Sequence, residues 1–156
     1  MKIAETKGFS LIELLVVTAI MGITAIMGSF AWNRYYNNAN LRMAARQVMV
    51  DINKTKSKAV AKMDTTFTMT FTTTSYTTYP DNIKLTTVMT RQLSEFGPGI
   101  TFEDWPNKTS TGTITFLARG TLSPTSGDII LTNNRGSNAD VTFNQTGKTY
   151  VKFKMQ

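Results

Sequence analysis

Glu13 is the only charged side chain between Phe9 and Trp32, in a run otherwise made of apolar and small polar residues. At 1.5 Å per residue the run makes a helix of about 36 Å, enough to cross a hydrocarbon core of roughly 30 Å. An acid at the centre of such a span costs on the order of 2.5–3.5 kcal/mol. Glu13 lies one turn from the start and costs less, but an ionisable group in a membrane segment still calls for a partner. Immediately before the run stand Lys7 and Gly8, a basic residue and one without a side chain.

Little else in the chain can do covalent chemistry. Histidine and cysteine are both absent. That removes imidazole bases, thiol nucleophiles and the usual ligands of zinc, copper or iron. No phosphate-binding or nucleophile-elbow glycine motif occurs, so an enzyme is not expected and no cofactor is implied. Glu103-Asp104 reads as a solvated loop. Asn133, Asn134, Asn138 and Asp140 offer oxygen atoms, but a single carboxylate beside Arg135 is a poor calcium set, and no metal is expected. The N-x-T triplets at Asn53, Asn107 and Asn144 are what a threonine-rich chain produces by chance.

A second candidate lies at the C-terminus. Val151, Phe153 and Met155 alternate with Tyr150, Lys152 and Lys154, and Lys148 continues the second set. A strand with its apolar set inward presents Lys148, Tyr150, Lys152 and Lys154 outward in one row. Such a row could track a phosphate backbone and stack a base. Lysines that keep an edge strand from pairing with another edge are the favoured reading. The net charge of +7 bears on solubility and anionic partners rather than on fold.

The elements that position these residues follow from periodicity. Trp32, Tyr35 and Tyr36 stand where an interfacial aromatic belt belongs. Beyond them Leu41, Ala45, Val48, Ile52, Thr55, Ala59 and Met63 recur at steps of four and three, an apolar stripe of helical period. A helix is therefore predicted over residues 9–63, half apolar throughout and half amphipathic. After Asp64 the composition turns to threonine and aromatics. Residues 65–79 read as a strand, with Phe67, Met69 and Phe71 at period two. Further strands are predicted at 83–91, 100–102, 113–117, 128–131, 141–143 and 149–155, with turns at 80–82, 123–127, 133–136 and 145–147. The fold class is α+β, a long N-terminal helix packed on a mainly antiparallel sheet domain. A β domain of about 90 residues is marginal by itself, and a core shared with the second half of the helix would relieve that.

Lys7-Gly8-Phe9, followed by Glu13 at the fifth position of an apolar helix, resembles the class III signal of type IV pilins and pseudopilins. Two other readings exist: a secretory signal peptide, with Ser29-Phe30-Ala31 as a small-x-small site, or a plain anchor. The first is disfavoured by the length of the apolar run, and both leave Glu13 without a purpose. The resemblance implies cleavage between Gly8 and Phe9 by prepilin peptidase and methylation of the new amine on Phe9. It also implies that Glu13 pairs with the amine of a neighbouring subunit. An α-amino group with an ordinary pKa of about 8 is cationic at neutral pH and can meet a buried carboxylate.

Farther on, Gly120, the Ile129-x-Leu131 strand, the Asn133-Asn134-x-Gly136 turn and Gly147-Lys148 are similar to the general secretion pathway H/FimT type of minor pilin. The expected domains are a leader at 1–8, an assembly helix at 9–32, an amphipathic extension at 33–63 and a β-rich domain at 64–156. The implied protein is a minor pilin or pseudopilin that assembles into a type IV pilus-like filament. The alternatives are a DNA-binding minor pilin of an uptake machine and a major, fibre-forming pilin. Its implied partners are other pilin or pseudopilin subunits, prepilin peptidase and an inner membrane assembly platform, with nucleic acid not favoured. The implied location is single-pass in the inner membrane, with the N-terminus cytoplasmic and the C-terminal domain outside. Two departures stand out: many pilins have a proline near Phe30 and a C-terminal disulfide, and this chain has neither.

Overall fold

Apolar run and amphipathic stripe form a single helical element, α1 (Leu11–Ala61), in a computed structural model that describes residues 9–63, 67–80, 89–106 and 112–156. The chain divides into two compact units, Met1–Tyr36 and Asn37–Gln156. In the first unit, every side chain described from residue 9 to residue 29 is exposed. The hydroxyls of Thr18, Thr24 and Ser29 donate to carbonyls three or four residues back. Those groups are satisfied within the helix, as a spanning segment requires.

In the second unit, α1 buries one face. Leu41, Ala45, Val48, Ile52, Thr55 and Ala59 are buried, the stripe expected from their spacing, and Ala44 is buried beside them. Met63 is the exception. The helix ends at Ala61, so Met63 leaves the stripe and is 83% exposed.

Two antiparallel sheets complete this unit. The first holds β1 (Phe67–Phe71), β2 (Ser75–Tyr79), β3 (Met89–Gln92), β5 (Gly112–Phe116) and β6 (Leu122–Ser123), in the order β3-β2-β1-β5-β6. The second holds β4 (Thr101–Asp104), β7 (Ser126–Thr132), β8 (Asn138–Asn144) and β9 (Thr149–Lys154), in the order β4-β7-β8-β9. One hydrophobic cluster joins helix and both sheets. Phe102 of β4 meets Phe71 and Tyr76 edge-on, at ring-centre distances of 5.5 and 6.2 Å. The core is thus shared, and the size problem of the β domain is met by burying α1 against it.

Several expected boundaries are corrected. Residues 65–79 are not one strand but the hairpin β1–β2, whose register pairs Phe71 with Tyr76. Its turn needs no glycine, because Thr72 bonds Ser75 through both backbone and hydroxyl. Residues 126 and 127, expected in a turn, start β7, and β6 was not expected at all. Glu103-Asp104 belongs to β4 rather than to a loop. The strand expected over 83–91 lies largely outside the described residues, as does the leader; β3 is its described end. At Gly147, with φ +72, an added Cβ would fall 2.6 Å from the Lys56 side chain and 2.9 Å from Leu122. Glycine therefore lets the β8–β9 turn lie against the helix.

Candidate assembly site

Ser10 precedes the first turn of α1, and its carbonyl accepts from the amides of Glu13 and Leu14, at 3.0 and 3.2 Å. Glu13 sits in that turn, where the positive end of the helix macrodipole favours a carboxylate. Phe9 is 83% exposed, and Gly8 lies outside the described residues. Among the described residues, the ion pairs are those of Arg91 with Asp51 and with Glu95. Glu13 has no cationic side chain bound to it there. The segment thus offers an apolar surface on all sides and one carboxylate near its beginning, an arrangement that can take lipid or other helices around it. Trp32 and Tyr35 stand near its far end, ring centres 6.4 Å apart.

A polar cluster that sequence reasoning missed fastens α1 to the first sheet. Asp51 is 2% exposed. Its Oδ2 accepts from the Tyr76 hydroxyl at 2.6 Å and from Arg91 Nε at 3.2 Å, and its Oδ1 accepts from Gln47 Nε2 at 3.1 Å. Arg91 also donates to Glu95 at 3.1 Å. Burial, and then the hydrogen bond to Asp51, push the Tyr76 phenol well above its ordinary value. The available signal was that Asp51 is the lone acid on a helix segment otherwise carrying only basic charges.

The C-terminal row is placed on an edge. Lys148, Tyr150, Lys152 and Lys154 are exposed, while Val151, Phe153 and Met155 are half-buried rather than buried. β9 is an outer strand, and its inner side chains reach α1: the Arg42 guanidinium lies 6.0 Å from the Phe153 ring centre. Lys152 lies over Tyr150 at 5.5 Å and is in register with Asp140 of β8. A carboxylate thus interrupts the field of the lysines. Lys148 lies in the β8–β9 turn, whereas Arg135 lies in the β7–β8 turn at the other end of β8. The Asn133 oxygen is occupied by the amides of Arg135 and Ser137, and its nitrogen donates to Asn38. That loop pins the helix instead of forming a ligand cage, and no metal-binding cluster occurs among the described residues.

Residues 5–29 match the prokaryotic N-terminal methylation motif. The matched stretch is the apolar opening of α1 with Glu13 in its first turn. Among solved structures the chain is similar to the type IV minor pilin FimU of Pseudomonas aeruginosa in two crystal forms. One has 17% identity and a TM-score of 0.55, covering 72% of this chain and 92% of FimU. The other has 16% identity and a TM-score of 0.58, covering 72% and 87%. By sequence, no curated protein matches the chain.

Proposed function

We propose that this protein is a minor subunit of a type IV pilus-like filament, stored in the inner membrane before assembly. Prepilin peptidase cuts between Gly8 and Phe9 and methylates the Phe9 amine. The assembly platform then moves the helix from lipid into a bundle of similar helices. There Glu13 meets the amine of a neighbouring subunit, and the β-rich domain stays outside the cytoplasm. The observation that carries this reading is the apolar segment of α1, exposed at every described side chain from residue 9 to residue 29, with its single acid in the first turn. The similarity of fold to FimU, itself a minor pilin, is in keeping with the minor-subunit reading.

The test joins two measurements on the wild type. Mass spectrometry of the membrane-extracted chain should give a product beginning at methylated Phe9, and immunoblots of sheared filaments should contain it. A mature chain beginning elsewhere, or filaments without the protein, would overturn the reading.

A further inference from the structure

The helix face opposite the core is patterned as well. In the Asn37–Gln156 unit, Met43, Arg46, Val50, Asn53, Ser57 and Val60 are all exposed and follow one another at steps of three and four. That spacing puts them in one seam. Met43, Val50 and Val60 are 52%, 49% and 41% exposed, an apolar content open to solvent among the described residues. Arg46 lies in the seam and Lys54 beside it, while the nearest helix acid, Asp51, is buried on the other face. Neither cation takes part in an ion pair among the described residues.

The opposite charge is on the second sheet. Its outward face has a hollow of about 270 Å³ lined by Asp128, Ile130, Asp140, Thr142, Tyr150 and Lys152. Register puts Ile130 across from Asp140, and Asp128 across from Thr142, so the two acids are diagonal neighbours. Half-buried Ile130 and exposed Tyr150 give the hollow an apolar floor and wall.

We infer that the seam of one copy docks on this sheet face of a second copy, a contact that rests on the filament reading. Val50 meets Ile130 and Tyr150, and Arg46 and Lys54 reach Asp140 and Asp128. The two cations stand about 12 Å apart along the helix, and the two carboxylates about 7–8 Å apart on the sheet. The long cationic side chains span the difference. Lys152 closes the β9 side, so the cations enter from the side of Asp128. Charge excludes two seams facing each other, since Arg46 and Lys54 would then meet like charges. It also selects against nucleic acid, which offers phosphates but no cover for Met43, Val50 and Val60.

The chain has no cysteine, so engineered pairs report cleanly. Full-length Arg46→Cys and full-length Asp128→Cys chains, differently tagged, are co-expressed, and isolated filaments are oxidised. A mixed disulfide is expected, with neither variant cross-linking when expressed alone. In parallel, Arg46→Glu should lower the amount in filaments at least fivefold, and Asp128→Lys in the same chain should restore it. Filaments that contain both cysteine variants but no mixed disulfide would overturn the contact and leave the filament reading standing. So would an Arg46→Cys homodimer, or retardation of duplex DNA by the wild type that Arg46→Glu abolishes. Wild type missing from filaments removes both.

Discussion

Tyr76 and Asp51 tie stability to pH at a single hydrogen bond. In the unfolded chain a tyrosine ionises near pH 10. In the folded protein, burial and the Asp51 carboxylate hold the phenol protonated well above that. The raised value means that the contribution is intact below pH 10. It is lost as pH climbs beyond, by about 1.4 kcal/mol per pH unit until the folded phenol ionises too. Denaturant unfolding of the detergent-solubilised chain should therefore steepen on its alkaline side, and Tyr76→Phe should flatten that limb. At neutral pH the same substitution should cost about 1.5–3 kcal/mol, the range for a hydrogen bond to a charged group. A wild type whose stability ran level from pH 9 to 11 would refute the coupling. Glu13→Ala tests a different acid by a different readout. It should leave insertion and cleavage unchanged, because neither needs the carboxylate. It should remove the protein from sheared filaments, since an unpaired amine in a low-dielectric bundle costs roughly 3–5 kcal/mol.

Along α1, neighbouring residues do opposite jobs, and that contrast can be measured. Ile52 is fully buried and Val50 is half exposed on the far face. Ile52→Ala should destabilise the domain by about 2–5 kcal/mol, and Val50→Ala by no more than about 0.5 kcal/mol, as read from paired denaturation curves. Equal effects would mean that the helix does not pack by the face described. This face was legible in the sequence because a helix signals its buried side through spacing alone, from Leu41 to Ala59. The β domain was only half legible. Ile129, Leu131, Val141 and Phe143 alternate cleanly and are buried as expected. In β1 every position is buried, threonines included, so alternation fades and the hairpin turn carries no glycine or proline to mark it. Asp51 stayed hidden for another reason: its partners Tyr76 and Arg91 are distant in sequence, and no local pattern joins them. The lysines of β9 and of the turn before it raise a further test. Replacing Lys148, Lys152 and Lys154 by alanine should increase self-association of the solubilised chain, because an unguarded edge pairs with another. It should leave mobility shifts with single-stranded DNA unchanged at low salt. A salt-dependent shift that the triple variant loses would instead give the row to nucleic acid.

At the scale of the whole molecule, two independent parts meet in one chain. The Asn37–Gln156 unit has its own core and its own polar fastening, while the N-terminal unit has an exposed apolar surface and no buried side chain among the described residues. Processing should therefore be separable from folding. A peptidase that works on the backbone before Phe9 needs close approach at residue 8, and a side chain there stands in the way. Gly8→Val should lower the processed fraction more than tenfold, as shown by the mass of the extracted chain. The unprocessed protein keeps Lys2, Glu5 and Lys7 ahead of the apolar helix. Charges there have no place in an apolar bundle, so the variant should stay in the membrane and be absent from filaments. The domain should meanwhile unfold at the wild-type temperature, because nothing in its core or in the Asp51 cluster has changed. A Gly8→Val protein that was cut normally would remove Gly8 from the processing site. One that entered filaments uncut would show that assembly does not need the free amine, and the role given to Glu13 would fall with it.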